Sequence, residues 1–345
     1  MSVNMSHMTD RLVVTPDPLN AELRIELQEG LITPASRHYV RTHFPLPAPI
    51  DWTGTIAIGG AVEHPRTYTL NELRSLPARS SVVTLECAGN GRAFLEPPTP
   101  GEPWGQGAVS TAEWTGAPLR ALLEPAGLAP TAVEILFRGA DGGVPADLGR
   151  RIAFERSLPV DRAMADEPFI AYAMNGGPIP LELGAPCRLV VPRHYGMASV
   201  KWLAQVVAVE APFDGFYQVD RYVIDGAPIG PVRPRAIVVP PGAGAARVGS
   251  RIVLRGYAWS GRGAVVRVEA STDGGVSWRD AALGGQRSAD AWREWSIEWT
   301  PERALTYEVI ARATDISGET QPLVQQRNAL GYANNAAQPV RVSAR

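Results

Sequence analysis

Two cysteines in 345 residues, Cys87 and Cys187, are too few for a disulfide framework. CxxC, HxxxH and HExxH are all missing. A zinc site needs three or four protein ligands, so none is expected. No run of 18 apolar residues occurs and mean hydropathy is −0.07, which excludes a membrane-spanning helix. The formal net charge is only −2, which argues against a general nucleic-acid surface. The opening MSVNMSHMTDRLVV has neither an apolar core segment nor a twin arginine. No export signal is therefore expected, and the cytoplasm is the expected compartment; a start codon further upstream would move the protein to the periplasm. Lysine is nearly absent. Of 33 basic residues one is lysine, Lys201, and 32 are arginine, the bias of a GC-rich genome.

What remains is enough for two domains, because 345 residues exceed one ordinary core and 45% are hydrophobic. Residues 1–50 are proline-punctuated, with one amphipathic stretch, AELRIELQEG. TLNELRSL carries a Thr N-cap and a Glu three residues on, so a short capped helix is expected. SVVTLEC, VEILFRGADGG, CRLVVP and VKWLAQVVAVEAP read as strands, and STAEWTGAPLRALLEPAGL as a turn leading into a helix. Strands and short helices alternate without a βαβ repeat, so residues 1–232 are expected to form a mixed α+β domain. A Pro- and Gly-rich connector runs over roughly 226–248. Residues 233–345 read as an all-β, immunoglobulin-like sandwich of short strands between Gly, Asp and Ser turns. Five of nine tryptophans fall there, as expected core or sheet-face residues.

The chemistry concentrates around VVTLECAGNGR, Val82 to Arg92. A run of β-formers ends in Cys87, and AGNG then forces a sharp turn. A thiol on such a turn serves either as a nucleophile or as a single soft ligand to a metal. The nucleophile needs a base among His7, His38, His43, His64 and His194; His43 and His194 are the candidates. The metal would have to bring most of its own ligands, which points to an organic chelate. In RHYVRTH, Arg41 and His43 share a face if the stretch is extended. Arg41, Arg92 and Arg188 suit oxyanions, and two arginines beside a thiolate are expected to lower its pKa. The segment SVKW, Ser199 to Trp202, could cradle phosphate with Lys201 adding charge.

Together LITPASRHYVRTHFPLP, VVTLECAGNGR, PWGQGAVSTAEWTGAPL, AYAMNGGPIPLELGAPCRLVVP and GMASVKWL resemble the sulfite oxidase family of molybdopterin enzymes. The resemblance spans roughly residues 30–340, and EASTDGGVSWRDA with YEVIARATDISGETQP looks like that family's immunoglobulin-like dimerisation domain. It implies molybdenum bound by the Cys87 thiolate, with a pterin dithiolene and oxo or water ligands. Tyr39, Val40, Arg41, Thr42 and His43 match the pterin-binding run; Asp141, Arg188, Ser199, Val200 and Lys201 match further pterin and phosphate contacts. Arg41, Arg92 and Trp104 match the anion pocket, and Tyr222 the tyrosine near the metal.

The departures from the family pattern are Leu183-Gly184 where His-Gly is frequent, Arg193-His194 before Tyr-Gly, and Gly91 where animal members have arginine. Leucine at position 183 cannot make the polar pterin contact of a histidine, and His194 is a candidate to make it instead. An arginine of the C-terminal domain that reaches the pocket in some members has no assigned counterpart. No cytochrome b5-type domain and no CxxCH occur, so no haem is expected on this chain. The implied activity is oxidation of sulfite to sulfate, with electrons passed to an external acceptor such as a cytochrome c, by a homodimer. Alternatives are the same cofactor acting on another oxyanion or an S- or N-oxide, as a reductase or sulfane dehydrogenase, and a cysteine hydrolase using Cys87.

Overall fold

The structure, a computed structural model, describes residues 10–48 and 54–345; His7 lies outside the described residues. Its first half is built on two sheets. A five-stranded sheet runs in the order Arg66–Thr69, Thr55–Gly60, Leu203–Val209, Glu134–Gly143, Ile152–Pro159. Thr55–Gly60 alternates, with Ile56 and Ile58 buried on one face, as a half-buried strand should. Its pairing with Leu203–Val209 is parallel, while the other pairings in this sheet are antiparallel. A four-stranded antiparallel sheet runs Arg188–Val190, Phe169–Met174, Val109–Pro118, Arg79–Glu86.

Helices are short. The longest α-helix among the described residues is Leu70–Ser75, closed by a reciprocal Thr69–Glu72 capping box as its sequence predicts. No helix is long and apolar enough to cross a membrane.

Two expectations need correction. Val109–Pro118 is a ten-residue strand rather than a turn; only Arg120–Leu123 is helical. The strand is paired on both sides, and its β-branched residues and buried Trp114 suit that position. Gly116 marks a register shift where a Cβ would stand 2.1 Å from the Ile170 carbonyl. The connector over 226–248 is also not structureless, because Arg235–Val239 is a buried strand inside it.

That strand opens a sandwich of two four-stranded sheets. One runs Arg235–Val239, Ile252–Trp259, Arg293–Trp299, Ala282–Leu283; the other runs Arg279–Asp280, Val265–Ser271, Thr306–Asp315, Val340–Ser343. Trp259, Trp292, Trp295 and Trp299 are buried, and Trp278 is half-buried.

The sandwich covers the open edge of the first half. Arg79–Glu86 is the edge strand of its sheet, and Thr84 N donates to Asp290 O at 2.9 Å. Trp292 N donates to Thr84 Oγ1 at 2.7 Å, and Trp259 Nε1 to Glu86 Oε2 at 2.8 Å. An edge strand covered in this way offers no template for another chain.

Candidate active site

Cys87 lies immediately after that edge strand. Its N–H donates to Ala108 O at 2.8 Å, and its carbonyl accepts from Asn90 N at 2.9 Å, which closes the turn. Gly91 has φ +82°, so the turn does require glycine there. The glycines make room for neighbouring guanidiniums, and Gly89 also lines the outer cavity described below. A Cβ on Gly89 would stand 2.5 Å from Arg92 Nη1, and one on Gly91 would stand 3.0 Å from Arg235 Nη2.

Two cavities meet at Cys87. The inner one has about 590 Å³ of empty space and is lined by Tyr39, Arg41, His43, Cys87, Asp141, Arg188, Ser199, Lys201 and Tyr222, with His38, Leu183 and Met197 among the others. The outer one, about 1260 Å³, shares Arg41, His43, Cys87 and Tyr222 and adds Arg92, Trp104, Glu102, Tyr217, Arg221, Leu330 and Tyr332.

Of the predicted residues, Val40, Thr42 and Val200 line neither cavity. The chain alternates from Tyr39 to His43, so the even positions face away. Val40 exchanges backbone hydrogen bonds with Ala21, and Thr42 bonds Leu19 and Asn20. Val200 is fully buried, and its carbonyl accepts from Leu189 N. His194 lies away from both cavities, so it does not stand in for a histidine at position 183. The C-terminal domain supplies Leu330 and Tyr332 to the outer cavity rather than an arginine.

The charges are arranged in layers. Arg188 donates to the carbonyls of Leu183 and Ser199 at 2.8 and 2.9 Å and lies over the Trp114 ring; burial brings it down to about 10. Lys201 Nζ donates to Glu182 O at 2.9 Å, and burial, then Arg188, push it well below its ordinary value. Burial pushes Asp141 up, against the pull of Lys201. Arg41 donates to Asn20 Oδ1 at 3.0 Å and pairs with Glu102 at 3.9 Å. Arg92 donates to the carbonyls of Glu102 and Leu330 at 3.0 and 3.2 Å. Glu102 thus ties both arginines together, which its sequence position did not reveal. Around Cys87 burial dominates. It raises the thiol above its ordinary value although Arg41 and Arg92 pull the other way, so the expected lowering does not occur.

Tyr222 donates to His43 Nε2 and stacks on Tyr332 at 5.0 Å. It holds φ +57°, a rare conformation for a bulky residue. Burial, then Arg41 and Lys201, keep His43 far below its ordinary value, so its imidazole is neutral and accepts. With His43 engaged and His194 remote, the hydrolase reading loses both its bases. Among the described residues no hydrogen bond joins Cys87 Sγ to a histidine.

The description "oxidoreductase molybdopterin binding domain" matches residues 43–217, and "Mo-co oxidoreductase dimerisation domain" matches 235–344. The chain belongs to the molybdopterin-binding oxidoreductase family. Mouse mitochondrial sulfite oxidase is 35% identical over 88% of this chain and 60% of its own length. Tomato nitrate reductase [NADH] is 32% identical over 92% of this chain and 39% of its own length. This chain therefore spans about 60% of the mouse relative and less of the plant one. The crystal structure of the sulfane dehydrogenase SoxCD from Paracoccus pantotrophus aligns with a TM-score of 0.85 at 26% identity, covering 99% of this chain and 90% of that one.

The inner cavity fits this family's cofactor. His38 Nε2 and Asp141 Oδ1 are buried there without a partner, and such atoms signal a missing polar ligand. His38 was not among the predicted site residues; only its place beside Tyr39 hinted at it. A pterin ring supplies complementary N–H and ring-nitrogen groups, Arg188 supplies a cation for a phosphate, and Lys201 supplies N–H donors beside it. Among the described residues no cluster of three His, Cys, Asp or Glu side chains holds a metal by itself. The soft Cys87 thiolate suits a metal that arrives in a chelate.

Proposed function

We propose that this chain oxidises sulfite to sulfate at a molybdenum–pterin centre ligated by Cys87, passing electrons to an external acceptor such as a cytochrome c. The observation that carries this reading is the shared wall. The thiol lining the inner cavity also lines an outer cavity holding Arg41, Arg92 and Trp104. Tyr39, His38 and Asp141 would hold the pterin, Arg188, Ser199 and Lys201 its phosphate, and Cys87 the metal. When bound, the group supplies oxygen-atom transfer and a two-electron store.

The protein's own part is position and charge. Arg41 and Arg92 offer the anion two guanidinium forks, which suit bidentate binding of oxygens. Trp104 Nε1 is buried without a partner and offers one more N–H to the anion. Tyr222 and neutral His43 hold or relay a proton at the phenol oxygen. The match to a dimerisation domain supports a homodimer.

The test is sulfite-dependent reduction of ferricyanide by protein made in a molybdenum-supplied host, with Cys87→Ser alongside. Turnover by wild type and none by the variant is expected. An active, molybdenum-loaded Cys87→Ser protein would overturn the reading.

A second reading keeps the cofactor and changes the substrate to a larger oxyanion or an S-oxide. Tyr217, Tyr332 and Leu330 favour it, because they give the outer cavity an apolar face that bare sulfite does not use. Turnover with such a compound but not with sulfite would select it.

A further inference from the structure

A third cavity lies behind Met197, which lines both it and the inner cavity. Its wall contains Arg156, Ser157, Arg162, His194 and Gln218. Arg156 is 4% exposed, and its one hydrogen bond among the described residues goes to the Tyr217 carbonyl. No salt bridge joins it to a carboxylate among the described residues, although Glu134 acts on it through space, and burial brings it down to about 10. Ser157 Oγ is also buried without a partner. Arg162 is half-buried, and its guanidinium has no hydrogen bond or ion pair among the described residues. His194 Nδ1 faces Pro192 O at 3.1 Å, which leaves Nε2 available.

Two neighbours reduce the charge without cancelling it. Arg193 is taken up by Asp290 at 2.8 Å. Glu134 lines the same wall, with one oxygen accepting from Phe213 N at 3.0 Å. Glu134 is the carboxylate in the wall itself, and Glu167 acts from outside it on His194 and, at 4.0 Å, on Arg193. A buried guanidinium is normally paired, and a recessed one with hydroxyl, amide and imidazole beside it matches an anion that carries charge on oxygen.

We propose that this cavity is a second anion site, which takes a small oxyanion or dicarboxylate between Arg156 and Arg162. It is separate from the arginines at Cys87, because neither Arg156 nor Arg162 lines those cavities. It is also connected to them. The Arg156 guanidinium lies 5.9 Å from the centre of the Tyr222 ring and holds the Tyr217 carbonyl. An anion that draws Arg156 outward loosens the support of two rings in the outer cavity.

The experiment is thermal unfolding of the holoenzyme, titrated with sulfate, phosphate or succinate against chloride at matched ionic strength. Excluded salts raise Tm without saturating, so the saturable component is read. A saturable rise is expected in wild type and in Arg92→Gln, with the midpoint moved at least tenfold higher in Arg162→Gln. Arg162 makes no side-chain hydrogen bond or ion pair among the described residues, so the variant reports on the site. The anion that produces the Arg162-sensitive rise identifies the class. No saturable rise with any of the three overturns the proposal. So does a rise lost in Arg92→Gln and kept in Arg162→Gln. The readout does not use turnover, so it stands whichever substrate the active site takes.

Discussion

The Glu86 carboxylate meets the Arg235 guanidinium at 2.9 Å, with both side chains 2% exposed, one residue before Cys87 and across the seam between the two halves of the chain. Arg235 also reaches Asn90 O and Asn334 O, while Asn334 Nδ2 and Ala333 N grip Gly91 O and Ala88 O. The cysteine turn is thus clasped from below by the C-terminal half. Removing one partner of such a pair leaves a buried charge and costs roughly 3–5 kcal/mol. Arg235→Met is expected to lose about that much in denaturant unfolding, and Glu86→Gln with Arg235→Met to recover part of it. Equal stability of Arg235→Met and wild type would show that the pair does not hold the turn.

Arg41→Gln and Arg92→Gln should each raise KM for the anion. Deleting a charge-assisted hydrogen bond costs roughly 1.5–3 kcal/mol, on the order of ten- to a hundredfold. Steady-state kinetics with sulfite decide it, and an unchanged KM in both variants takes them out of the pocket.

Gly89→Ala tests the same pocket without removing a charge. The new methyl would press on Arg92, whose nearest atom stands 2.5 Å from the Cβ position. Crowding of this kind costs roughly 1–3 kcal/mol. KM should rise while molybdenum content, measured by elemental analysis, stays at the wild-type level. A loss of molybdenum would mean that the glycine serves the inner cavity after all.

His38 gives a pH prediction for the cofactor-free protein. Burial, partly offset by its bond to the Tyr39 carbonyl, brings its pKa down to about 3. The unfolded chain takes up this proton near 6.5, before the folded chain does, so stability falls as pH drops from about 6.5 toward 3, by at most about 1.4 kcal/mol per pH unit. Unfolding curves of wild type and His38→Gln should converge with acid over that window. Parallel curves would show that His38 is solvated.

Legibility in the sequence followed range along the chain. CAGNGR, the solitary Lys201 and the alternation through Tyr39, Arg41 and His43 are local signals. Cys87, Arg92, Lys201 and the three alternating side chains all reach a cavity. The alternation that exposes those three also turns Val40 and Thr42 away, which the resemblance alone does not separate. Arg235 and Tyr332 reach the site from segments far away in sequence, and nothing in their neighbours marks them; Glu102 stands just before Trp104, but no motif includes it. Val109–Pro118 reads as a turn because Gly116 looks the same in a turn and at a strand bulge.

Cys87 stands in the walls of both cavities at once. The two compartments are adjoining rooms whose common wall is Cys87 with Arg41, His43 and Tyr222. Whatever fills the inner room becomes the floor of the outer one. Under the proposed function, choice among substrates then rests on the cofactor's exposed face as well as on the arginines.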